Sequence, residues 1–103
     1  MQKLDNTVVD KSFDFAVRIV KCYKYLIKKE RNLKSLYAQI LYSGTSIGAN
    51  ISGSQAAASR MDFRNKLRIS LKEAYETDFW LRLFFETEIL DKKEFESLSK
   101  ECT

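Results

Sequence analysis

Arg60, Arg64, Arg68 and Lys72 follow one another at intervals of four, which stacks four cations along one side of a helix. A second series, Arg18, Lys21, Lys24 and Lys28, keeps the same helical rhythm and has Tyr25 available beside it. Rows of this kind neutralise phosphates, and a neighbouring tyrosine can stack on a base. Binding of that type is salt-dependent and largely blind to sequence. A row of lysines and arginines is also the ordinary look of a solvated helix face, so spacing alone does not choose between the two. The candidate nucleic-acid contacts are Arg18, Lys21, Lys28, Arg60, Arg64 and Arg68.

Other reactive residue types offer less. The chain has no histidine, which removes the usual general base, the Ser-His and Cys-His nucleophile pairs, and the histidine ligands of zinc and di-iron sites. Glu73 and Glu76 stand three apart with Asp78 close by. They could hold a metal, but solvated or ion-paired carboxylates are the plainer reading. None of the three glycines is followed by lysine, so there is no phosphate-cradling loop of the Gly-x-x-x-x-Gly-Lys type. Two cysteines, Cys22 and a terminal Cys102, do not make a disulfide framework. The expectation is a non-enzymatic protein with no catalytic residues, metal or cofactor.

These residues need helices to position them. The 103-residue chain contains no proline, and its apolar residues recur at helical intervals throughout. A single domain over residues 1–103 is expected. The first helix is expected from a cap at Asn6 or Asp10 to about Arg31, with Val9, Phe13, Ala16, Val20, Tyr23 and Ile27 on its inner face. The second covers Leu33 to about Gly53. The third starts after Ser59, with Asp62 completing a capping-box-like start, and runs to about Leu90. Its inner face is Phe63, Leu67, Ser70, Ala74, Thr77, Leu81 and Phe84, broadened by Leu71, Phe79 and Phe85. A short fourth helix follows Asp91. The fold class expected from these patterns is therefore all-α, with four helices of which the fourth is short.

Charge is distributed unevenly along the chain. Residues 1–34 carry nine Lys/Arg against four Asp/Glu, whereas residues 73–103 carry four against nine. Between Ser35 and Ser59 no charged side chain occurs, in a chain that is 31% charged. That segment is too rich in hydroxyl and amide groups to enter a membrane, and no apolar signal sequence precedes it. A cytoplasmic setting is expected, with no membrane partner. Glycine inside a helix costs about 1 kcal/mol relative to alanine, so Gly44 and Gly48 call for a closely packed neighbour. With few charges on any side, the segment reads as partly covered by another subunit. Gly44, Ile47, Gly48, Ile51 and the large aromatic Trp80 are the candidate oligomer-interface residues.

The stretches SGTSIGAN (residues 43–50) and KEAYETDFWL (residues 72–81), with Lys11–Ala16 and Asp62-Phe63, resemble the bacterial four-helix bundle protein family. That family includes proteins encoded by intervening sequences in 23S ribosomal RNA genes, and is related to accessory proteins of diversity-generating retroelements. The resemblance spans residues 8–90. It implies an antiparallel up-and-down four-helix bundle assembled as a homopentamer and, by way of the retroelement branch, a basic pentamer that binds nucleic acid and a partner protein. Three features depart from the family pattern: Tyr42 stands where arginine is usual, Ser52 and Gly53 stand where acids are frequent, and the fourth helix is shorter. The combined expectation is a homo-oligomeric accessory or scaffold protein with weak, salt-dependent RNA or DNA binding. The alternative is a purely structural protein-protein interaction module.

Overall fold

A computed structural model describes residues 3–102. It contains α1 (Asn6–Lys29), a single 3-10 turn (Arg31–Leu33), α2 (Lys34–Ser54), α3 (Arg60–Glu86) and α4 (Lys92–Cys102). Local chemistry accounts for the boundaries. The Asp5 carboxylate accepts from the Thr7 amide at 2.7 Å and so caps α1, in place of the expected Asn6 or Asp10. Ser59 Oγ accepts from the Asp62 amide at 3.0 Å, and Asp62 Oδ2 accepts from the Ala58 amide at 3.1 Å. That reciprocal arrangement is the expected start of α3. The Ala58 amide, followed by Lys66, holds the Asp62 carboxyl below its ordinary range. Asp91 caps α4 through the Glu94 amide at 2.8 Å.

α3 stops at Glu86, four residues earlier than its apolar pattern suggests. The amides of Ile89 and Glu88 close back on the carbonyls of Phe84 and Phe85, and Glu88 takes φ 64°. This is a Schellman stop with glutamate where glycine is favoured.

Successive helices run antiparallel. α2 packs along both α1 and α3, while α4 lies on the C-terminal half of α3 and touches α1 lightly. The core comprises Phe15, Ile19, Cys22 and Leu26 of α1, Tyr37, Ile40 and Ile47 of α2, Leu81 and Phe84 of α3, with Leu90 and Leu98 closing the α4 side. The buried stripe of α1 is thus Ser12, Phe15, Ile19, Cys22 and Leu26, one position away from the expected one. Phe13, expected inside, is 66% exposed, and Leu71 and Phe79 of α3 also face outward. Two neighbouring rows of α1 are apolar, and the small residues of α2 decide which one turns inward.

Gly44 and Gly48 lie at a close approach of α1 and α2. A Cβ on Gly44 would lie 2.8 Å from Ile19 Cγ1, and one on Gly48 2.9 Å from the Ser12 carbonyl oxygen. The close approach expected of these glycines is therefore made by α1 of the same chain. Gly44, Ile47 and Gly48, candidates for a subunit interface, are buried inside the protomer. Ile51 and Trp80 are half-buried against the same core. Along the other flank of α2, Ser70 Oγ donates to the Ile47 carbonyl at 3.0 Å and Thr77 Oγ1 to Ser43 Oγ at 3.0 Å.

Candidate nucleic-acid and self-association surfaces

The first three turns of α3 carry Arg60, Arg64 and Arg68, all exposed. None of the three makes an ion pair among the described residues, and Arg60 opens a helix whose N-terminus itself carries partial positive charge. Two neighbouring cations are engaged: Lys66 Nζ lies 3.1 Å from Asp62, and Lys72 Nζ lies 4.0 Å from Glu76. The working row is thus three arginines long.

The α1 series divides. Lys21 and Lys28 are exposed, but Arg18 turns to α4, its guanidinium 2.6 Å from Glu101 and 3.6 Å from Glu94. Arg18 ties α4 to α1 and has no free fork to offer a phosphate. Tyr25 is exposed, with Lys29 Nζ 5.8 Å from its ring centre. α1 and α3 meet only through core side chains, with no Cα pair within 8 Å among the described residues. They run parallel at opposite corners, with Lys21 and Lys28 toward the C-terminal end of α1 and the arginine row at the N-terminal end of α3. The six candidate contacts therefore form two separate patches.

Among the described residues, the acids singled out from the sequence do not converge on one site. Glu73 is buried on the α2 side of α3, whereas Asp78 turns toward α4, where Ser99 Oγ lies 3.4 Å away. Among the described residues no three acids or cysteines cluster in a way that could hold a metal. Burial, then Glu94, pushes the Cys22 thiol up to about 11, with Arg18 opposing. Burial, then Asp78, does the same to Cys102, whose thiol donates to the Ala74 carbonyl at 3.3 Å. Thiols so placed are poor nucleophiles. The terminal Cys102 is half-buried and bonded.

A groove of about 770 Å³ lies between α1 and the α3–α4 connection, with Lys21, Tyr25 and Lys29 on one wall and Glu88, Asp91 and Glu94 on the other. It exists because α4 barely reaches α1. Among the described residues no helix is long and apolar enough to cross a membrane.

Large apolar side chains on the outside are what the sequence reading missed. Tyr42 is 69% exposed and Tyr75 72%, and Phe13, Val17, Met61, Ile69, Leu71 and Phe79 are exposed as well. Isolated exposed apolar residues are normal on a monomer, but this number on three helices is not. The sequence signal was present: α1 has more apolar rows than one face can bury, and the Phe79-Trp80-Phe84-Phe85 cluster exceeds one stripe.

Comparison with known proteins accords with this architecture. No curated protein matches the chain. A solved structure similar to it is that of a protein with unknown function from the S23 ribosomal protein family of Bacteroides thetaiotaomicron VPI-5482. The two are 50% identical with a TM-score of 0.87, over 92% of this chain and 87% of that one. The family model for 23S rRNA-intervening sequence protein matches residues 4–103. The chain belongs to the 23S rRNA-intervening sequence protein family.

Proposed function

We propose that the chain is a subunit of a homo-oligomer, a ring of five as its resemblance implies, which acts as an accessory or scaffold and holds RNA or DNA weakly through Arg60, Arg64 and Arg68. The observation that carries the self-association is the outward display of Phe13, Tyr42, Leu71, Tyr75 and Phe79 by an otherwise well-packed bundle. Phe13 and Leu71 stand on diagonally opposed helices, α1 and α3, whose backbones stay apart. Two different sticky patches suit head-to-tail association, which closes into rings. A ring would repeat the unpaired arginine row on every subunit, and repetition turns weak phosphate contacts into useful avidity. The family takes its name from intervening sequences of ribosomal RNA, so structured RNA is the first ligand to try.

Light scattering joined to a fluorescence-anisotropy salt series tests both halves. The reading expects an oligomer at micromolar concentration that binds structured RNA or duplex DNA at low salt and releases it as salt rises. A monomer throughout overturns the assembly, and an intact oligomer that binds neither nucleic acid at about 50 mM salt overturns the ligand.

One observation favours the structural alternative. The basic front and acidic rear of this chain already meet within the protomer, through Arg18 with Glu94 and Glu101. Part of the charge asymmetry that suggests nucleic acid therefore serves packing.

A further inference from the structure

Ser70 and Thr77 both hydrogen-bond to α2, at Ile47 and Ser43. Glu73 lies between them, three residues after one and four before the other, and so sits in the same α2–α3 seam. It is only 5% exposed, and its Oε2 is sealed from water with no hydrogen-bond partner. A buried carboxylate without a donor is costly, and native proteins rarely keep one.

Within the protomer, among the described residues, only the Glu76 carboxyl comes within hydrogen-bonding reach of Glu73, and it has no proton of its own to give Oε2 once both are ionised. α2 lies wholly inside the uncharged run from Ser35 to Ser59, apart from Lys34 at its far end, so no cation can come from that side. The polar side chains of α2 near the seam turn back on their own helix: Ser46 Oγ donates to the Tyr42 carbonyl at 2.7 Å and Asn50 Nδ2 to the Ser46 carbonyl at 2.8 Å. On α3 the adjacent Lys72 lies out in solvent beside Glu76, and Glu76, though within hydrogen-bonding reach of Glu73, is itself an acid that adds negative charge.

We propose that Glu73 is the acceptor half of an inter-subunit ion pair, completed by a lysine or arginine of a second copy of this chain that docks over the α2–α3 seam. The inference rests on the self-association reading and deepens it by naming the site. Charge complementarity supports this occupant, since the chain holds 18 Lys/Arg against 14 Asp/Glu and so displays cations in excess. The seam is also rimmed for contact. Ile69 lies one turn before Glu73 on α3 and Tyr42 one turn before Ser46 on α2, both exposed. An apolar rim that excludes water around a desolvated charge pair is how such pairs gain weight in an interface. Glu73, unpaired in one chain, would be paired in the assembly.

Sedimentation velocity on the full chain, on Glu73→Gln and on Glu76→Gln decides the matter, with circular dichroism and thermal unfolding of each at assembling and dissociating concentrations. Glu73→Gln is expected to weaken association at least about tenfold, and the dissociated protomer should be no less stable than the parent. Glu76→Gln, which removes a repulsion that disfavours ionised Glu73, should associate at least as well as the parent does. An oligomeric parent whose Glu73→Gln variant associates equally well overturns the inference and leaves self-association standing. A monomeric parent overturns both. If the dissociated Glu73→Gln protomer melts lower than the parent, Glu73 already has its partner within the chain, and the inference fails. Should the glutamine variant not fold, Glu73→Met, similar in volume and without a polar atom, is read by the same outcomes.

Discussion

Gly48 of α2 lies directly against Ser12 of α1, so closely that a Cβ on Gly48 would stand 2.9 Å from the Ser12 carbonyl oxygen. The obstacle is backbone in the middle of a helix, which cannot swing aside. Gly48→Ala would gain about 1 kcal/mol of helix propensity but would force the two helices apart, an overpacking cost of about 1–3 kcal/mol. A net loss of up to about 2 kcal/mol is expected in urea unfolding. Gly53 is the internal control. Its Cβ would meet only Lys66 Cδ and Cε at 3.4 Å, the far end of a flexible side chain, so Gly53→Ala should be neutral or stabilising. Equal effects at the two positions would contradict the close approach.

Glu88 ends α3 in the left-handed region at φ 64°. That conformation costs a non-glycine residue about 1–2 kcal/mol, and glycine adopts it freely. Glycine loses more chain entropy on folding, which returns part of the gain, so Glu88→Gly should stabilise the protein by about 0.5–1 kcal/mol. Chemical unfolding measures this directly, and a loss of stability would mean that the Glu88 side chain does more than line the groove.

How much of this was legible in the sequence depends on how local each cause is. The caps at Ser59–Asp62 and Asp91 could be read because a side chain and an amide three residues apart decide them. The α3 stripe from Phe63 to Phe84 could be read because its members recur every three or four residues, whereas Leu71 and Phe79, expected to broaden it, face outward. α1 could not, because the rows through Phe13 and through Phe15 are both apolar, and the choice between them is made by Gly44 against Ile19 and Gly48 against Ser12. The arginine row of α3 was visible as spacing, whereas the diversion of Arg18 to Glu94 and Glu101 depends on where α4 lies. Glu73 looked like any helix carboxylate, since its isolation comes from the neutral face of a different helix.

That isolation has a pH signature. Burial raises the Glu73 carboxyl above its ordinary value of 4.5, Glu76 raises it further, and Lys72 opposes. A raised carboxyl binds its proton more tightly in the folded state, so its burial costs nothing below the unfolded value. The cost grows as pH rises from about 4.5 through the folded value and is constant above it. At dissociating concentration, Glu73→Gln should therefore be more stable than the parent at pH 7, with the gap closing as pH falls toward 4.5. Urea unfolding of both proteins between about pH 4 and 8 gives the curve, and a gap that widens on acidification would reverse the assignment.

The two basic patches should separate under mutation. Arg64 is exposed without an ion partner in the protomer, so Arg64→Ala should leave stability within about 0.5 kcal/mol of the parent. In the anisotropy series it should lower affinity for every sequence alike and reduce the salt slope by about one unit for each phosphate that Arg64 neutralises. Arg18 is engaged with α4, so Arg18→Ala should change the salt slope little. Its removal releases Glu94 and Glu101, pairs that are partly open to solvent and together contribute about 1 kcal/mol at most. That effect should appear as faster amide exchange in α4, the shortest α-helix and the one held most lightly to α1. If instead Arg18→Ala flattens the salt dependence and Arg64→Ala does not, the nucleic-acid surface lies on α1 and the arginine row of α3 is a solvated helix face.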